Sequence, residues 1–123
     1  MHQAQQDLAL AQLARDNGFQ AAACFHASQA AEKALKSALL ELGLEPPFTQ
    51  VLNTLVSQLQ DAGVNTQHLQ GLALRQLSRM AVQSRYPMDA TPASELFDQK
   101  DADQALTTAT DVITIVQTLD QQG

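Results

Sequence analysis

The stretch FQAAACFHASQAAEKALKSALLEL, from Phe19 to Leu42, is the longest uninterrupted helical signal in the chain. It contains no glycine or proline and is dominated by good helix formers. At 100° per residue, its apolar side chains fall on one face of the predicted helix. They are Cys24, Ala27, Ala31, Ala34, Leu35, Ala38, Leu39 and Leu42. Because alanine is frequent on this face, neighbouring helices are expected to approach it closely.

The opposite face of the same helix is polar. His26, Gln29, Lys33 and Lys36 follow one another at spacings of three, four and three, and Glu32 lies at the border with the apolar face. Such a stripe is most often a solvated surface. Its cations also make it the first candidate for a binding site.

The composition predicts one α-helical domain covering residues 1–123. Hydrophobic residues make up 45% of the chain and aromatic residues only 4%, so the core must be aliphatic. The 5 glycines and 4 prolines stand between the periodic segments, which argues against a fold with many strands. No apolar run approaches 18 residues and no signal peptide is recognisable, so we expect a soluble, cytoplasmic protein.

The charge of the chain argues against general nucleic-acid binding. The net charge is −6, from 13 acidic and 7 basic residues. Five of the seven cations nevertheless lie in the middle of the chain, where they predict a local basic patch. These five are Lys33, Lys36, Arg75, Arg79 and Arg85.

The periodicity predicts five helices in an up-and-down, mostly antiparallel bundle of four to five helices. The predicted ranges are Gln3–Asp16, Phe19–Leu42, a short helix after Thr49 that ends at Asp61, Gln67–Tyr86 and Asp101–Leu119. Asn17 and Gly18 are a stop signal, and Thr49 is the predicted N-cap of the third helix. The predicted apolar stripe of the third helix is Leu52, Leu55, Val56 and Leu59. The core candidates of the fourth are Leu69, Leu72, Ala73, Leu77, Met80 and Ala81. Leu8, Ala11, Ala4, Leu13 and Ala14 form the predicted apolar side of the first helix.

The sequence does not contain a recognisable catalytic or metal-binding motif. His2, His26 and His68 are far apart, and no ligand spacing typical of metals is present, so neither a metal nor a cofactor is expected. Cys24 lies on an apolar face and is predicted to be a buried, inert thiol. The catalytic residues, if any exist, remain unknown at this point.

Two polar sets remain as candidates for function. One is the stripe of the second helix, and the other is Arg79 with the run Ser84, Arg85 and Tyr86. If the second and fourth helices pack side by side, these sets line one groove that suits a phosphate and a stacked base. Alternatively, both residues are structural: Arg85 bonds the last carbonyls of its helix, and Tyr86 packs on the following loop. In that case the loop carboxylates Asp89, Glu95 and Asp98 offset the charge of the cations.

Three blocks together resemble the HEPN domain family. They are GFQAAACFHASQAAEKALKSALLELG (Gly18–Gly43), PFTQVLNTLVSQL (Pro47–Leu59) and SRYP (Ser84–Pro87), followed by a loop and a helical repeat. The resemblance covers nearly the whole chain. The block Q-x-x-EKALK with a downstream RYP is moderately specific.

The resemblance implies a small helical bundle that commonly dimerises. Prokaryotic members often accompany a minimal nucleotidyltransferase, frequently as toxin–antitoxin pairs, and some members bind nucleotides while others are metal-independent ribonucleases. Carried over to this sequence, the family pattern implies functional or structural roles for Gln29, Glu32, Lys33, Lys36, Arg85, Tyr86 and Pro87, of which Glu32 and Pro87 belong to the structural motif. Together with the polar stripe and the groove, the candidate ligand-binding set is His26, Gln29, Lys33, Lys36, Arg79, Arg85 and Tyr86.

The chain departs from the ribonuclease branch of this family at two points. That branch uses an arginine followed by four to six residues and a histidine, and no arginine here has a histidine at that distance. Gln50 stands where many members place a histidine. Without the histidine, no obvious general base is available to deprotonate a ribose 2′-hydroxyl.

Three functions therefore remain open. The first is a non-catalytic, dimeric HEPN-type module that binds a nucleotide or a nucleotidyltransferase partner. The second is a ribonuclease with an atypical site built on Arg79, Arg85 and His26. The third is a purely structural interaction module. We further expect Glu32 to pair with Arg79 or Arg85. If Lys33 instead points to solvent, Lys33→Ala should barely change stability.

Overall fold

The computed structural model describes residues 1–85 and 96–122, and in these ranges the protein consists of helices connected by loops. The predicted all-α class is confirmed, and no strand occurs in the described ranges. Six helices are present there instead of the predicted five. They are α1 His2–Asp16, α2 Gln20–Glu41, α3 Leu52–Asp61, α4 Gln67–Gln70, α5 Leu74–Arg85 and α6 Gln99–Gln122.

Helix α2 is the centre of the molecule. It packs most extensively against α1 and α6, and it also contacts α5 and α3. No residue between Ala23 and Leu39 is fully exposed, so even the polar side of the helix lies partly within the bundle. The predicted apolar face is buried except for Leu42, which follows the last helical residue and is 48% exposed.

A tight turn joins α1 to α2. Gly18 adopts a φ of 85°, a left-handed conformation that glycine tolerates without steric cost. Phe19 N–H then donates to the Ala14 carbonyl at 2.8 Å, and Gly18 N–H donates to the Arg15 carbonyl at 3.1 Å. This Schellman arrangement ends α1 at the predicted stop and folds α2 back antiparallel to α1.

Helix α6 packs against both α1 and α2. The guanidinium of Arg15, near the end of α1, lies 3.5 Å from the Asp103 carboxylate, near the start of α6. The start of α6 therefore lies beside the end of α1 and the beginning of α2. It follows that α6 runs antiparallel to α1 and in the same direction as α2.

The predicted helix Gln67–Tyr86 is interrupted. Its first turn ends at Gln70, and α5 begins at Leu74 after a short connection. Gly71, a poor helix former, stands at the interruption. Leu69 and Leu74 on either side of it are both buried, whereas Ala73, a predicted core residue, is exposed.

The prediction that Thr49 caps α3 is wrong. The helix begins at Leu52, and its first N–H donates to Ser78 Oγ of α5 at 3.1 Å. Thr49 Oγ1 accepts a hydrogen bond from Val51 N–H inside the preceding turn. The cap of α3 thus comes from another helix. The predicted apolar stripe of α3 is fully buried, and its members are Leu52, Leu55, Val56 and Leu59.

Two aspartates cap the start of α6. Asp101 N–H donates to Asp98 Oδ1 at 2.9 Å, and Asp98 N–H donates to Asp101 Oδ2 at 3.0 Å. This reciprocal pair has the geometry of a capping box, and its hydrogen bonds hold the pKa of Asp98 below the ordinary value. Just before it, Phe97 is buried in the core.

One predicted core residue of α1 is also misplaced. Leu13 is 61% exposed, whereas Ala4 and Ala11 are completely buried. None of the helices in the described ranges combines the length and the apolar character needed to cross a membrane.

Candidate functional site

The polar side of α2 divides into two parts. His26 and Lys33, seven residues apart, lie on the side of the helix that meets α1. Glu32 and Lys36 lie on the other flank and pair with each other within α2. Gln29 is half-buried between the two parts. The stripe is therefore neither a solvated face nor a continuous row of free cations.

The part that meets α1 is organised by Asp7. This aspartate is only 8% exposed, and its Oδ2 accepts a hydrogen bond from Lys33 Nζ. Its other oxygen, Oδ1, lies 3.8 Å from His26 Nδ1, which is too long for a hydrogen bond. His26 Nδ1 is buried and has no hydrogen-bond partner within the described part of the chain. The condition that Lys33 points to solvent is not met, because its ammonium is held against a nearly buried carboxylate.

Sequence reasoning missed Asp7, although a signal was present. Asp7 stands between Ala4 and Ala11 at spacings of three and four, so a helix places it on the buried stripe of α1. A charged residue on such a stripe needs a partner of opposite charge. The lysines of the neighbouring helix α2 were the available candidates.

The second part of the stripe is an ion pair within α2. Lys36 Nζ lies 3.3 Å from Glu32 Oε2, one helical turn away. The predicted pairing of Glu32 with Arg79 is wrong, since Arg79 is exposed on α5 and forms no ion pair in the described part of the chain. The alternative partner, Arg85, ends α5, and its side chain lies outside the described residues.

The predicted groove is only partly reproduced. Helices α2 and α5 do pack against each other, as the groove requires. However, His26 and Lys33 interact with α1, whereas Arg79 belongs to α5. Tyr86 and Pro87, the remaining members of the predicted set, lie outside the described residues.

The buried thiol predicted at Cys24 is confirmed. Its side chain is inaccessible to solvent, and burial raises its pKa to about 12, with the Asp101 and Asp98 carboxylates acting in the same direction. A thiol with this pKa stays protonated at neutral pH and is a poor nucleophile. Across the described ranges, no three histidine, cysteine or acidic side chains come together in a way that would hold a metal ion.

Two comparisons relate this chain to known proteins. The family model of the HEPN domain matches residues 1–119. The crystal structure of TT1696 from Thermus thermophilus is similar with a TM-score of 0.84 and 30% sequence identity, over 96% of this chain and 93% of that chain. No functionally curated protein matches the sequence.

Proposed function

Because the chain belongs to the HEPN domain family, we propose that it is a non-catalytic, dimeric module that binds a nucleotide, a nucleotidyltransferase partner, or both. Its place in a toxin–antitoxin-like pair is part of the same proposal. A nucleotidyltransferase reading frame beside this gene is the expected genetic context. Co-purification of the two gene products after co-expression tests the partner, and absence of a complex contradicts that half of the proposal.

The ion pair between Lys36 and Glu32 is the observation that supports the proposed nucleotide binding. The Lys36 ammonium interacts with Glu32 through a single pair one turn apart, and the lysine side chain is 25% exposed. The Lys36–Glu32 contact is longer than the contact between Lys33 and Asp7, at 3.3 Å against 2.5 Å, so an anion can compete more readily for the Lys36 ammonium. Lys36 is thus the less tightly paired lysine of α2, although Lys33 is the more exposed, and Arg79 offers an exposed guanidinium on the neighbouring helix.

The other members of the proposed ligand set have different roles. Lys33 and His26 already face Asp7, so a phosphate that approaches them must compete with that carboxylate. Gln29 contributes a neutral amide between the two pairs. Arg85, the last residue of α5, and Tyr86, which follows it in the sequence, complete the proposed set with a second guanidinium and an aromatic ring.

Calorimetry at low ionic strength tests the nucleotide half directly. The titrants are ATP, GTP and a short single-stranded RNA, and the proteins are the parent, Lys36→Ala and Arg85→Ala. We expect one titrant to bind, and we expect the two variants to weaken it. Added salt should also weaken it because exposed charges are screened over about 8 Å at physiological ionic strength. If nothing binds more tightly than about 1 mM, or roughly −4 kcal/mol, the nucleotide half is wrong.

One contact favours the ribonuclease as a second candidate. His26 Nδ1 lies 3.8 Å from the nearly buried Asp7 carboxylate, so a small movement on RNA binding would bring the two within hydrogen-bond distance and orient the imidazole as a general base. Incubation of the parent with labelled RNA in the presence of a chelator tests this activity. Cleavage that disappears in both His26→Ala and Arg85→Ala supports the ribonuclease, and the absence of cleavage by the parent contradicts it.

Sedimentation tests the dimer separately. We expect a species of twice 13.3 kDa at micromolar concentration. A single 13.3 kDa species at that concentration contradicts the dimer, whatever the calorimetry shows.

A further inference from the structure

The part of the chain that forms α3 to α5 differs in charge from the remainder. From Pro46 to Met88 the sequence contains three arginines and a single carboxylate, Asp61. Outside this segment, the other four cations stand among twelve acidic residues. The protein is therefore acidic overall but carries an excess of positive charge on one group of helices.

The outward side of α5 carries two of these arginines. Arg75, Arg79 and Val82 follow one another at spacings of four and three, so they form one stripe along the helix, and all three are exposed. Neither guanidinium has an ion-pair partner in residues 1–85 or 96–122. In this respect they differ from Arg15, Lys33 and Lys36, each of which pairs with a carboxylate.

An ordered turn is anchored on the flank of α5 that carries Ser78, which neighbours Arg75 and Val82 on the helix. Thr49 N–H donates to the Pro47 carbonyl at 2.9 Å, and Val51 N–H donates to Thr49 Oγ1 at 3.1 Å. The bond from Leu52 N–H to Ser78 Oγ then holds the end of the turn against the middle of α5. This turn leaves Val51 half-exposed and Phe48 fully exposed.

We propose that Phe48, Val51, Arg75, Arg79 and Val82, here called the α5 face, dock an acidic helical segment of a partner protein. Two arginines one turn apart match carboxylates one turn apart on a facing helix. Phe48 and the two valines supply the apolar anchors that such a helix needs between its carboxylates. Exposed aromatic and arginine side chains are also the residue types that dominate binding energy at protein interfaces.

A helical protein segment fits this face better than a nucleic acid. Two free guanidiniums neutralise only two phosphates, whereas nucleic-acid affinity rises with the number of phosphates neutralised. Exposed valines offer nothing to a phosphate or a base, but they pack well against leucine side chains. The excess of positive charge on α3 to α5 likewise complements an acidic partner.

This inference rests on the partner-binding half of the proposed function and shares only Arg79 with the proposed nucleotide site. The two are therefore separable by mutation. Substitutions of Phe48 and Arg75 should affect the docking face alone, whereas Lys36→Ala should affect nucleotide binding alone.

Fluorescence anisotropy with a synthetic probe tests the docking face. The probe is a labelled amphipathic peptide of leucine, alanine and glutamate, designed as a helix with leucines along one side. A matched peptide has lysine in place of every glutamate, and a short single-stranded RNA represents the nucleic-acid alternative. The full-length protein is titrated into each at low and at physiological ionic strength.

We expect the acidic peptide to bind and the basic peptide not to bind. Phe48→Ala and Arg75→Glu should each weaken the acidic peptide about tenfold, the size of effect typical of interface anchors. Lys100→Glu removes an exposed cation of α6, outside the face, and should change the affinity less than about twofold because long-range charge is screened. Circular dichroism of each variant verifies that the helices are intact.

Three results overturn the inference. The first is equal binding of the acidic and basic peptides. The second is an effect of Lys100→Glu as large as that of Arg75→Glu, which reduces the interaction to net charge. The third is that the RNA binds more tightly than the acidic peptide and that Phe48→Ala weakens this RNA binding. That result would mean that the α5 face binds nucleic acid. If peptide binding fails while the nucleotidyltransferase still co-purifies with Phe48→Ala and Arg75→Glu variants, the proposed function stands and only the docking face is wrong.

Discussion

The α1–α2 interface and the α5 face hold their cations in different environments. At the interface, Lys33 is held by Asp7, a carboxylate that is only 8% exposed. On the α5 face, Arg75 and Arg79 are exposed and have no ion-pair partner in the described ranges. The difference teaches that membership of the family motif does not by itself make a cation free to bind a ligand. Lys33 and Lys36 lie within the EKALK block and are both paired with carboxylates, whereas Arg75 and Arg79 lie outside the motif and are unpaired in the described ranges.

Removal of the Asp7 carboxylate is the strongest test of this contrast. We expect Asp7→Ala to lower the free energy of unfolding by about 1 kcal/mol, because the Lys33 ammonium loses its acceptor, although water replaces part of this interaction at a side chain that is 37% exposed. Urea denaturation measures the loss. The exposed Asp111 of α6 provides the control, and Asp111→Ala should change stability by less than about 0.5 kcal/mol. Equal effects of the two substitutions would show that Asp7 is not a structural partner.

The two lysines of α2 should differ in the same assay. Lys33→Ala is expected to cost about 1 kcal/mol, because it leaves Asp7 nearly buried and unpaired, although the partial exposure of Lys33 moderates the cost. Lys36→Ala breaks a longer pair within one helix, at 3.3 Å instead of 2.5 Å, so its cost should be smaller, about 0.5 kcal/mol. A double-mutant cycle of Asp7 and Lys33 measures their coupling, and a coupling of zero would remove the contrast between the two lysines.

The anchor of the α5 face can be tested through Ser78. We expect Ser78→Ala to cost about 1 kcal/mol, because the N–H of the buried Leu52 loses its acceptor. Thr49→Ala removes a similar hydrogen bond from an exposed N–H, which water can replace, so its effect should be smaller. Thermal unfolding ranks the two variants. A larger effect at Thr49 would mean that Ser78 does not hold the turn against α5.

The capping aspartates of α6 predict a small dependence on pH. The pKa of Asp98 is lowered in the folded protein by the N–H of Asp101, so the folded carboxylate resists protonation more than the unfolded one. This stabilisation is present above the ordinary value of 3.8 and is lost as the pH falls through the folded pKa. The melting temperatures of the parent and Asp98→Ala should therefore converge in acid. A constant difference down to about pH 2 would contradict the capping role.

Much of the fold could be predicted because helical periodicity is a local property. The α2 prediction, Phe19–Leu42, differs from the observed Gln20–Glu41 by one residue at each end. The stripe of α3 and the stop at Gly18 were also predicted correctly. The interruption between α4 and α5 was missed, although Gly71, a poor helix former, stands at it.

The candidate site was predicted less well than the fold. The residue types of the α2 stripe were identified, but the sequence pattern contained no information on which carboxylate each lysine meets. Asp7 lies 26 positions before Lys33, and the contact exists only because α1 folds back along α2. The Glu32–Lys36 pair, in contrast, follows the ordinary spacing of one helical turn and was available from the sequence.

The sequence by itself determined the helical class, the position of the central helix, the buried thiol and the resemblance to the HEPN family. Each of these depends on spacings within one helix or on residue type. Only the tertiary structure decided that Lys33 is paired across an interface, that α3 takes its cap from Ser78, and that Arg75 and Arg79 remain without an ion-pair partner in the described ranges. The physical reason is that charges and hydrogen-bond donors are satisfied by whatever lies nearest in space, and packing between helices sets those neighbours.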